Sequence, residues 1–368
     1  MGALRVAYDV GPVHGPLTGI GYAVATLHDT LVRRDDVVLT DYVLSFRAQL
    51  AQGVHRLPLP AAVAHRAWAH TAHPRVDRWL DHAQVVHGTN YVVPPSHLPT
   101  VVSVYDCWFL RHPDHAHPDV RRAGAVLRAA VARGAVVHTS SLATEGAVRA
   151  LLPGAAVQTV HLGPLPLPAP AATAPVPELV GRRFVLAVGT IERRKNIPRL
   201  VAAFGAVAAS HPDVLLVLAG GAGDDSAAVQ AAIDALGPAS APSVLRTGRI
   251  DDPTRSWLLH HARVLAYPSL DEGFGFPLLD AMQAGVPVVA STAGSIPEVA
   301  GPAALCCDPL DVEALADALV TALDDPDVRM RLVAEGTRRW PQFSWQRCAD
   351  EMVALYRRVE AHDLEGLR

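Results

Sequence analysis

The sequence predicts an α/β protein built from two Rossmann-like domains with parallel sheets. Three features indicate this fold: a length of 368 residues, an alternation of short apolar runs with longer helical patterns, and one proline-rich segment near the middle. A chain this long exceeds what one hydrophobic core usually supports. Strands that alternate with helices are typical of βα units, which form parallel sheets. Because half of the residues are apolar, two cores can be filled.

The first half of the chain opens with an apolar run, Leu4–Asp9, which predicts a buried strand. We expect a glycine-rich loop over residues 11–21 next, and then a helix from about Tyr22 to Arg33. Later apolar runs predict further buried strands at Val85–Gly88, Thr100–Tyr105 and Ala135–Thr139.

Residues 164–177 are the best candidate for a linker between domains. They contain six prolines and no charge, so they can neither continue a helix nor pair within a sheet. We therefore predict an N-terminal domain at residues 1–165 and a linker at 166–178.

The alternation of strands and helices then resumes and predicts a C-terminal domain at residues 179–344. A last helix, about Trp345–Val359, lies in the remaining segment 345–368, which either stays with this domain or crosses back to the first. The predicted strands are 184–189, 214–220, 264–267 and 286–290, and the predicted helices are 198–210, 227–236 and 277–284.

The composition of the chain indicates which classes of partner it can bind and in which cellular compartment we expect it. The net charge is −4, and the chain has no basic run interleaved with aromatic residues, so we expect no nucleic-acid binding. The apolar runs fall far short of the roughly 18 residues that span a bilayer, and the N-terminus has no signal-peptide core. Four cysteines without a framework spacing indicate a reducing cytoplasm. We expect a cytoplasmic protein and leave open a peripheral contact of the segment 61–82 with the inner membrane face.

Several motifs for binding nucleotides or metals can be excluded, because the sequence departs from the pattern that each one requires. The segment Gly19-Ile20-Gly21 lacks the third glycine of the dinucleotide fingerprint, and its loop is too long for that motif. No phosphate-binding P-loop pattern occurs. The pair Asp325 and Asp327 precedes a helix in a polar turn, where helix capping explains it better than a metal site does.

Lys195 is the only lysine of the chain, among 31 arginines. A chain rich in Ala, Arg, Gly and Pro can keep one lysine by chance, so this observation alone leaves chance and function equally open. Its position favours function, because Arg194 and Lys195 stand between a predicted strand and a helix that starts near Pro198. A helix N-terminus beside basic side chains is suited to binding phosphate.

A second junction between a strand and a helix contains two acidic residues. Gly273 and Gly275 flank Phe274 and allow the backbone to approach a ligand closely. Glu272 stands at the start of this loop and Asp280 about one turn into the next helix. We expect both carboxylates to face one pocket.

These segments resemble a known family. EGFGFPLLDAMQAGVPVVASTAGSIPEVAG at 272–301, together with VGTIERRKN at 188–196, resembles glycosyltransferase family 4, the group-1 retaining nucleotide-sugar enzymes of GT-B fold. The resemblance runs nearly end to end and implies two Rossmann-like domains whose parallel sheets face each other across an interdomain cleft. It also implies that the N-terminal domain at 1–165 binds the acceptor and the C-terminal domain at 179–344 binds the nucleotide-sugar donor. Weaker matches are TGIGYAVATL from Thr18, HGTNYVVPP from His87, SVYDCWFLRHP from Ser103 and AALCCDPLD from Ala303.

The resemblance implies roles for individual residues. Lys195 matches the lysine that contacts the donor diphosphate, Glu272 matches an acid near the donor sugar, and Asp280 stands where the family usually has a glutamate that holds the ribose hydroxyls. Asp106 matches an acidic catalytic position of the family. In the family this position commonly follows a histidine, whereas in this chain the preceding residue is Tyr105. The family pattern also implies donor binding by Arg194, Gly189, Thr190, Gly273, Phe274 and Gly275, and a flexible loop near the phosphates and the acceptor at Gly19 and Gly21.

The function implied is a retaining transfer of a hexose, of mannose or rhamnose type, from a nucleotide-diphosphate sugar to a hydroxyl group. The acceptor is a sugar, a lipid-linked sugar or a natural product, so that the setting is bacterial glycan or natural-product biosynthesis. The resemblance implies no cofactor and no metal; the oligomeric state is not predicted. Two alternatives stay open: a nucleotide-sugar epimerase, and a catalytically silent homologue that acts as a partner subunit, which the exchanges at Asp280 and Tyr105 suggest.

Overall fold

The computed structural model describes residues 2–15, 17–45, 48–50, 52–80, 82–116 and 118–368. It divides into two compact units: Met1–Gly163 with Phe343–Arg368, and Pro164–Gln342. Each unit is a parallel sheet covered by helices, so the predicted α/β class with two Rossmann-like domains is confirmed. Among the described residues, no helix has the length and apolar character needed to cross a bilayer.

The first unit is built around one parallel sheet. The strands found in its described residues are β1 Leu4–Asp9, β2 Val37–Val43, β3 His55–Arg56, β4 Val85–Gly88, β5 Thr100–Val104, β6 Val136–Thr139 and β7 Val157–Thr159. They are ordered β3-β2-β1-β4-β5-β6-β7. The chain therefore proceeds from β1 to one edge of the sheet and then returns to the other side of β1 with β4.

Five helices in the described part of the first unit precede the second unit: α1 Gly19–Val32, α2 Ala61–His70, α3 Trp108–Arg111, α4 Pro118–Ala132 and α5 Leu142–Leu151. In the segment at 61–82 that was considered for a membrane contact, Trp68 is fully buried. Its indole N–H donates to the carbonyl of Pro74 at 3.0 Å. This tryptophan packs in the protein core.

Helix α1 begins earlier than the sequence predicts. The predicted loop over residues 11–21 extends too far, because Gly19 and Gly21 already belong to the first turn of α1. Thr18 caps this helix by accepting a hydrogen bond from the Gly21 N–H at 3.3 Å. A Cβ at Gly21 would lie 2.8 Å from the carbonyl oxygen of Pro12, so Gly21 lets the helix start close against the preceding turn.

The second unit, all of whose residues are described, contains a parallel sheet of its own. Its strands are β8 Arg183–Val188, β9 Val214–Ala219, β10 Val244–Gly248, β11 Val264–Tyr267, β12 Val288–Ser291 and β13 Ala304–Cys307. They are ordered β10-β9-β8-β11-β12-β13. Strands β9 and β11 are apolar and buried throughout, and β8 is apolar and buried over residues 184–187, as expected of strands covered by helices on both faces.

The helices of this unit cover its sheet. Helices α6 and α12 pack against each other and line the same apolar core. The bounds are α6 Ile197–Ser210, α7 Ser226–Ala235, α8 Gly237–Ser240, α9 Asp252–His261, α10 Phe276–Gln283, α11 Ile296–Ala300, α12 Val312–Asp324 and α13 Pro326–Arg339.

The proline-rich segment packs with the second unit. The Ser256 hydroxyl donates to the carbonyl of Pro168 at 2.6 Å, and Arg255 donates to the carbonyl of Pro166 at 3.0 Å. Side chains of helix α9 thus donate hydrogen bonds to backbone carbonyls of the proline-rich segment, which are not paired within a helix or a sheet.

The last helix, α14 at Trp345–Glu360, belongs to the first unit and packs against α1, β4 and β5. Its fully buried Tyr356 forms a 2.7 Å hydrogen bond with His87 Nδ1. A Cβ at Gly163 would lie 2.6 Å from the Trp345 backbone nitrogen, so a glycine is required where the chain passes this helix.

Candidate active site

The predicted phosphate-binding residues lie at the carboxyl edge of the second sheet. Lys195 follows β8, Glu272 follows β11 and Gly294 follows β12. Because these strands are parallel and adjacent, the segments that follow them meet at one edge. The carboxyl edge of a parallel α/β sheet is where such folds bind ligands.

Lys195 and Glu272, far apart in sequence, form a close ion pair at this edge. The Lys195 ammonium donates to Glu272 Oε1 at 2.6 Å and to the Tyr267 hydroxyl at 3.2 Å. It also lies 4.9 Å from the centre of the Tyr267 ring, within the range of a cation–π interaction. An ammonium has three N–H donors, so one donor has no partner among the described residues.

Arg194 completes the cluster from the other side of Glu272. Its guanidinium donates to Glu272 Oε2 at 2.8 Å and to Glu192 at 2.9 Å. Its backbone carbonyl accepts from the Leu270 N–H at 2.7 Å. Glu272 is thus held by two cations, and the two junctions are joined by backbone as well as side-chain bonds.

Asn196 fixes the start of α6 beside Lys195. It adopts a left-handed conformation with φ 59°, which asparagine tolerates better than most residues. Its side-chain amide donates to the carbonyls of Pro268 at 3.0 Å and Pro309 at 2.7 Å. Its side-chain oxygen accepts from the Arg199 guanidinium at 2.8 Å and does not cap α6, so the N–H groups of Ile197 and Arg199 in the first turn lack intrahelical partners.

The charges of the cluster set the ionisation of Glu272. Burial alone would raise the pKa of Glu272, but the charges of Lys195 and Arg194 outweigh it and lower the pKa to about 2. Burial lowers the pKa of Lys195, and the Glu272 carboxylate opposes that effect. Glu272 is therefore ionised at neutral pH, and the ammonium is held in a partly desolvated position where its charge acts strongly on a ligand.

Gly189 and Thr190 lie between β8 and Lys195, as predicted. Gly189 has φ 138°, which L side chains rarely adopt. A Cβ at Gly189 would lie 3.6 Å from Lys195 Cε. The lysine stem thus runs in a narrow space between Gly189 and the Tyr267 ring.

The predicted glycine-rich loop caps α10. Gly275 has φ 98° and directly precedes the helix. Phe274 is buried and packs edge-on against Phe276, with ring centres 5.4 Å apart. Gly273 and Phe274 therefore form a closely packed link between Glu272 and the helix.

Asp280 is buried one turn into α10 but does not share a partner with Glu272. Its Oδ2 pairs with Arg255, while its Oδ1 is buried without a hydrogen-bond partner. Burial raises the pKa of Asp280 to about 6, and Arg255 limits that rise. The unpartnered oxygen leaves Asp280 able to accept a hydrogen bond from a ligand.

Asp106 lies in the first unit and has both oxygens occupied. Its Oδ2 accepts from the Tyr91 hydroxyl at 3.2 Å, and its Oδ1 accepts from the Trp108 N–H at the start of α3 at 3.1 Å. Gly19 and Gly21 also belong to the first unit. The cluster around Lys195 is formed by the second unit alone.

Four residues of this edge were not predicted from the sequence: Tyr267, Asn196, Arg255 and Gly294. Gly294 has φ 56°, and a Cβ there would lie 2.6 Å from both the backbone nitrogen and the carbonyl oxygen of Glu272. The Ser295 N–H donates to that same carbonyl at 3.0 Å. The motif AGS at 293–295 could have indicated this support, since a glycine between small residues after a strand is typical of close backbone contact.

No three His, Cys, Asp or Glu side chains converge as metal ligands within the described residues. The carboxyl edge of the second sheet around Lys195, called here the Lys195 edge, is instead cationic. It carries Lys195, Arg194 and the positively charged N-terminal end of α6. Such an edge is suited to a phosphate-bearing ligand.

Residues 173–339 match the family of glycosyl transferases group 1. The chain is 28% identical to O-antigen chain mannosyltransferase B of Escherichia coli over 96% of this chain and the full length of that protein. It is 42% identical to the MMP alpha-(1->4)-mannosyltransferase of Mycolicibacterium hassiacum over 116 residues, which are 30% of this chain and 28% of that protein.

Solved structures share the fold. Sucrose-phosphate synthase from Thermosynechococcus elongatus superposes with a TM-score of 0.74 at 20% identity, covering 98% of this chain and 100% of that one. Anabaena HepE, in complex with UDP and glucose, superposes with a TM-score of 0.68 at 16% identity, covering 96% and 99%. The fold is that of the GT-B glycosyltransferases.

The chain is a transferase enzyme of the glycosyltransferase class, as the family match and its named relatives show. Within that class the match and the fold support a group-1 glycosyltransferase. The relatives named as mannosyltransferases support transfer of a hexosyl group.

Proposed function

We propose that this chain is a retaining glycosyltransferase of family 4 that moves a hexose from a nucleotide-diphosphate sugar to a hydroxyl group of its acceptor. The observation that carries the proposal is the cluster of Lys195, Arg194 and Glu272 at the carboxyl edge of the second sheet. The donor diphosphate binds at the Lys195 junction, and its sugar lies against the loop at 273–275.

The cluster is ordered before a ligand binds. Glu272 holds Lys195 and Arg194 in place through bonds of 2.6 and 2.8 Å. The third N–H of Lys195 and the backbone N–H groups of Ile197 and Arg199 at the start of α6 are available for phosphate oxygens, whereas Pro198 has no N–H. Groups that are already oriented need little reorganisation when charge develops on the ligand.

Cleavage of the bond between the sugar and the phosphate develops negative charge on the phosphate. The Lys195 ammonium stabilises that charge, and Arg194 assists it. The acceptor oxygen attacks the anomeric carbon from the face that the phosphate leaves, and the departing phosphate takes the acceptor proton. The new glycosidic bond thereby keeps the configuration of the donor, and no side chain of the protein acts as nucleophile.

Fixed cations carry out the work that a divalent metal performs in other transferases, so we propose that the reaction needs no metal. Asp280 Oδ1, buried without a partner, accepts a hydrogen bond from a ribose hydroxyl of the nucleotide. An aspartate is one methylene shorter than the glutamate that is usual in the family, and Arg255 on the other oxygen fixes the direction of this shorter side chain.

Mannose or rhamnose, carried by GDP or dTDP, is the sugar that we propose. Two relatives are named as mannosyltransferases, which supports mannose. The name of the Escherichia coli protein refers to an O-antigen chain, which supports a sugar chain as acceptor for this protein also.

A screen of donors tests the proposal. Purified protein is mixed with GDP-mannose, dTDP-rhamnose or UDP-glucose, and thermal shift and donor hydrolysis are measured. At least one donor should raise the melting temperature and be hydrolysed slowly in water. If no nucleotide sugar binds and Lys195→Ala leaves all readouts unchanged, the proposed function is wrong.

A further inference from the structure

A pocket of about 520 Å³ opens at the amino edge of the first sheet. It lies where β5 begins at Thr100 and β6 begins at Val136, and it is called here the amino-edge pocket. Parallel α/β sheets usually bind their ligands at the opposite, carboxyl edge. All residues that line the pocket belong to the first unit, so it shares no residue with the Lys195 edge.

The size and the wall of this pocket suit a small organic molecule. Pockets for such ligands measure roughly 300–1,000 Å³, so a volume of about 520 Å³ holds more than a bare ion. Pro94, Pro95 and Pro99 line the pocket together with Val136 and Val359. A carbon skeleton can therefore pack against an apolar wall.

Two arginines give the pocket its charge. Arg75 donates to His97 Nε2 at 2.7 Å, and Arg133 donates to the carbonyls of Trp68 at 3.0 Å and Thr71 at 3.4 Å. A guanidinium has five N–H donors, and the remaining donors of both arginines have no partner among the described residues. Within that same part of the chain, neither arginine pairs with a carboxylate and no Asp or Glu lines the pocket. The pocket is therefore cationic and has hydrogen-bond donors left for a ligand.

Asp77 orders the loop that carries His97. Its Oδ1 accepts from the Ser96 hydroxyl and from the His97 N–H, both at 2.7 Å. Because arginine only donates hydrogen bonds, His97 Nε2 accepts from Arg75 and the ring proton is on Nδ1, which lies 3.5 Å from Asp77 Oδ2. The Arg75 guanidinium is thus oriented at the pocket before a ligand binds.

His362, just beyond α14, adds a polar group to the lining. The carbonyl of Glu360 lies 3.1 Å from His362 Nδ1. Because a carbonyl only accepts, Nδ1 carries the ring proton and Nε2 remains as an acceptor in the neutral imidazole. His362 can therefore accept a hydrogen bond from a hydroxyl group of a ligand.

We propose that the amino-edge pocket binds a small organic phosphomonoester that carries hydroxyl groups, a phosphorylated sugar or polyol. Arg75 and Arg133 bind the phosphoryl group, because the guanidinium fork matches phosphate oxygens. A phosphomonoester carries nearly two negative charges at neutral pH and thus matches two arginines, whereas a carboxylate matches one. The carbon skeleton packs on the proline wall, and His362 accepts from a hydroxyl group. The inference goes beyond the proposed function and does not depend on it.

Calorimetry with the full-length protein tests this site. The probes are glucose 6-phosphate, mannose 6-phosphate and glycerol 3-phosphate at about pH 8, where the phosphomonoester is a dianion. At least one probe should bind wild type, and the parent glucose, mannose or glycerol should bind at least about tenfold more weakly. Arg75→Gln and Arg133→Gln should each weaken binding of that probe at least about tenfold, the usual loss for a hydrogen bond to a charged group.

Arg78→Gln is the matched control, because Arg78 is exposed, lies three residues from Arg75 and does not line the pocket. It removes the same charge and should bind the probe as wild type does. Melting temperatures check the fold of each variant. If Arg133→Gln does not fold, Arg75→Gln decides alone, since the only side-chain bond of Arg75 among the described residues is to His97.

Lys195→Ala separates this pocket from the Lys195 edge, which is also suited to phosphate. It should bind the probe as wild type does. Arg75-dependent binding of a probe in a protein that binds no nucleotide would keep the amino-edge pocket and contradict the proposed function.

Three results would overturn the inference. The first is that no probe binds, and the second is that Arg75→Gln binds the probe as wild type does, including the case in which only Lys195→Ala weakens binding. The third is Arg75-dependent binding to vesicles that contain phosphatidic acid when no soluble phosphomonoester binds, which would make the arginines a membrane contact.

Discussion

Glu272 and Asp9 both lie near the carboxyl ends of central parallel strands, Glu272 after β11 and Asp9 at the end of β1, yet their pKa values are shifted in opposite directions. Glu272 is held by two cations, and its pKa falls to about 2. Asp9 is half-buried without a cationic partner among the described residues, and its pKa rises to about 7. A carboxyl group near the carboxyl end of a parallel strand thus carries a fixed charge in one unit and titrates near neutral pH in the other.

The difference follows from the charges that surround each carboxyl group. Fixed positive charge supported by an ionised carboxylate is suited to a diphosphate. Changes near Lys195 should therefore affect binding of a phosphate-bearing ligand, whereas changes at Asp9 should affect how the stability of the protein depends on pH.

The largest effect is expected for Lys195→Ala. It removes the ammonium that stabilises the departing phosphate, so kcat for donor hydrolysis should fall about 10²–10³-fold, the usual loss for one preorganised charge stabiliser. Steady-state kinetics check it. Arg193→Ala is the matched control, because Arg193 is an exposed neighbouring residue and should keep the wild-type rate.

Gly294→Ala should have the next largest effect. Its methyl group would meet the backbone of Glu272, which would move the carboxylate away from Lys195 and lower donor turnover at least about tenfold, as misplacement at an active site does. Gly285→Ala is the control, since Gly285 also has positive φ but a Cβ there meets only Val333 at 3.9 Å. Equal activity of the two variants would contradict the role of Gly294.

Glu272→Gln tests whether the ionised carboxylate of Glu272 stabilises the folded protein. Because the pKa of Glu272 is depressed in the folded protein, its contribution to the free energy of unfolding is present above the ordinary pKa of a glutamate and is lost as the pH falls towards about 2. The variant should be less stable by roughly 1–3 kcal/mol at neutral pH. Urea titrations should show this difference shrinking below about pH 4.5. A constant difference would mean that the charge of Glu272 does not stabilise the fold.

For Asp9→Asn, the difference in stability between wild type and variant should depend on pH in the opposite direction. Since the pKa of Asp9 is raised in the folded protein, wild type should lose stability relative to the variant as the pH rises from about 4 through about 7. Melting temperatures across this range check it. A variant that is less stable than wild type by a constant amount at every pH would show that Asp9 does not titrate as described.

The smallest effect is expected at Asp280. With its pKa at about 6, ionised Asp280 should bind the ribose better, so donor affinity should weaken a few-fold as the pH falls from about 7 to about 5. Asp280→Asn should abolish this dependence, whereas Glu178→Gln, at an exposed position of the same unit, should keep it. Calorimetry with the donor measures both.

The central strands were predictable because their side chains are continuously apolar. Leu4–Asp9, Val85–Gly88 and Val264–Tyr267 have the same bounds in the structure as in the prediction. In the first sheet β2, β3 and β7 were missed, and most of their residues are only partly buried or exposed. Strands β10 and β13 were missed as well. They lie at the edges of the second sheet, where residues are only partly buried and the apolar signal is weak.

The positions of Lys195 and Glu272 at one sheet edge could be predicted from two strand-to-helix junctions. Their direct bond could not, because the sequence gives no distance between residues in separate βα units. The raised pKa of Asp9 could not be predicted for a similar reason. An aspartate that ends a strand is common, and only its half-buried position without a cationic partner among the described residues distinguishes Asp9.

The central claim is that the Lys195 edge binds the diphosphate of the donor. Isothermal titration calorimetry with GDP, dTDP and UDP tests it most directly. At least one nucleotide should bind wild type and Arg193→Ala equally and bind Lys195→Ala at least about tenfold more weakly, which is about 1.4 kcal/mol. Equal binding to Lys195→Ala and wild type would contradict it.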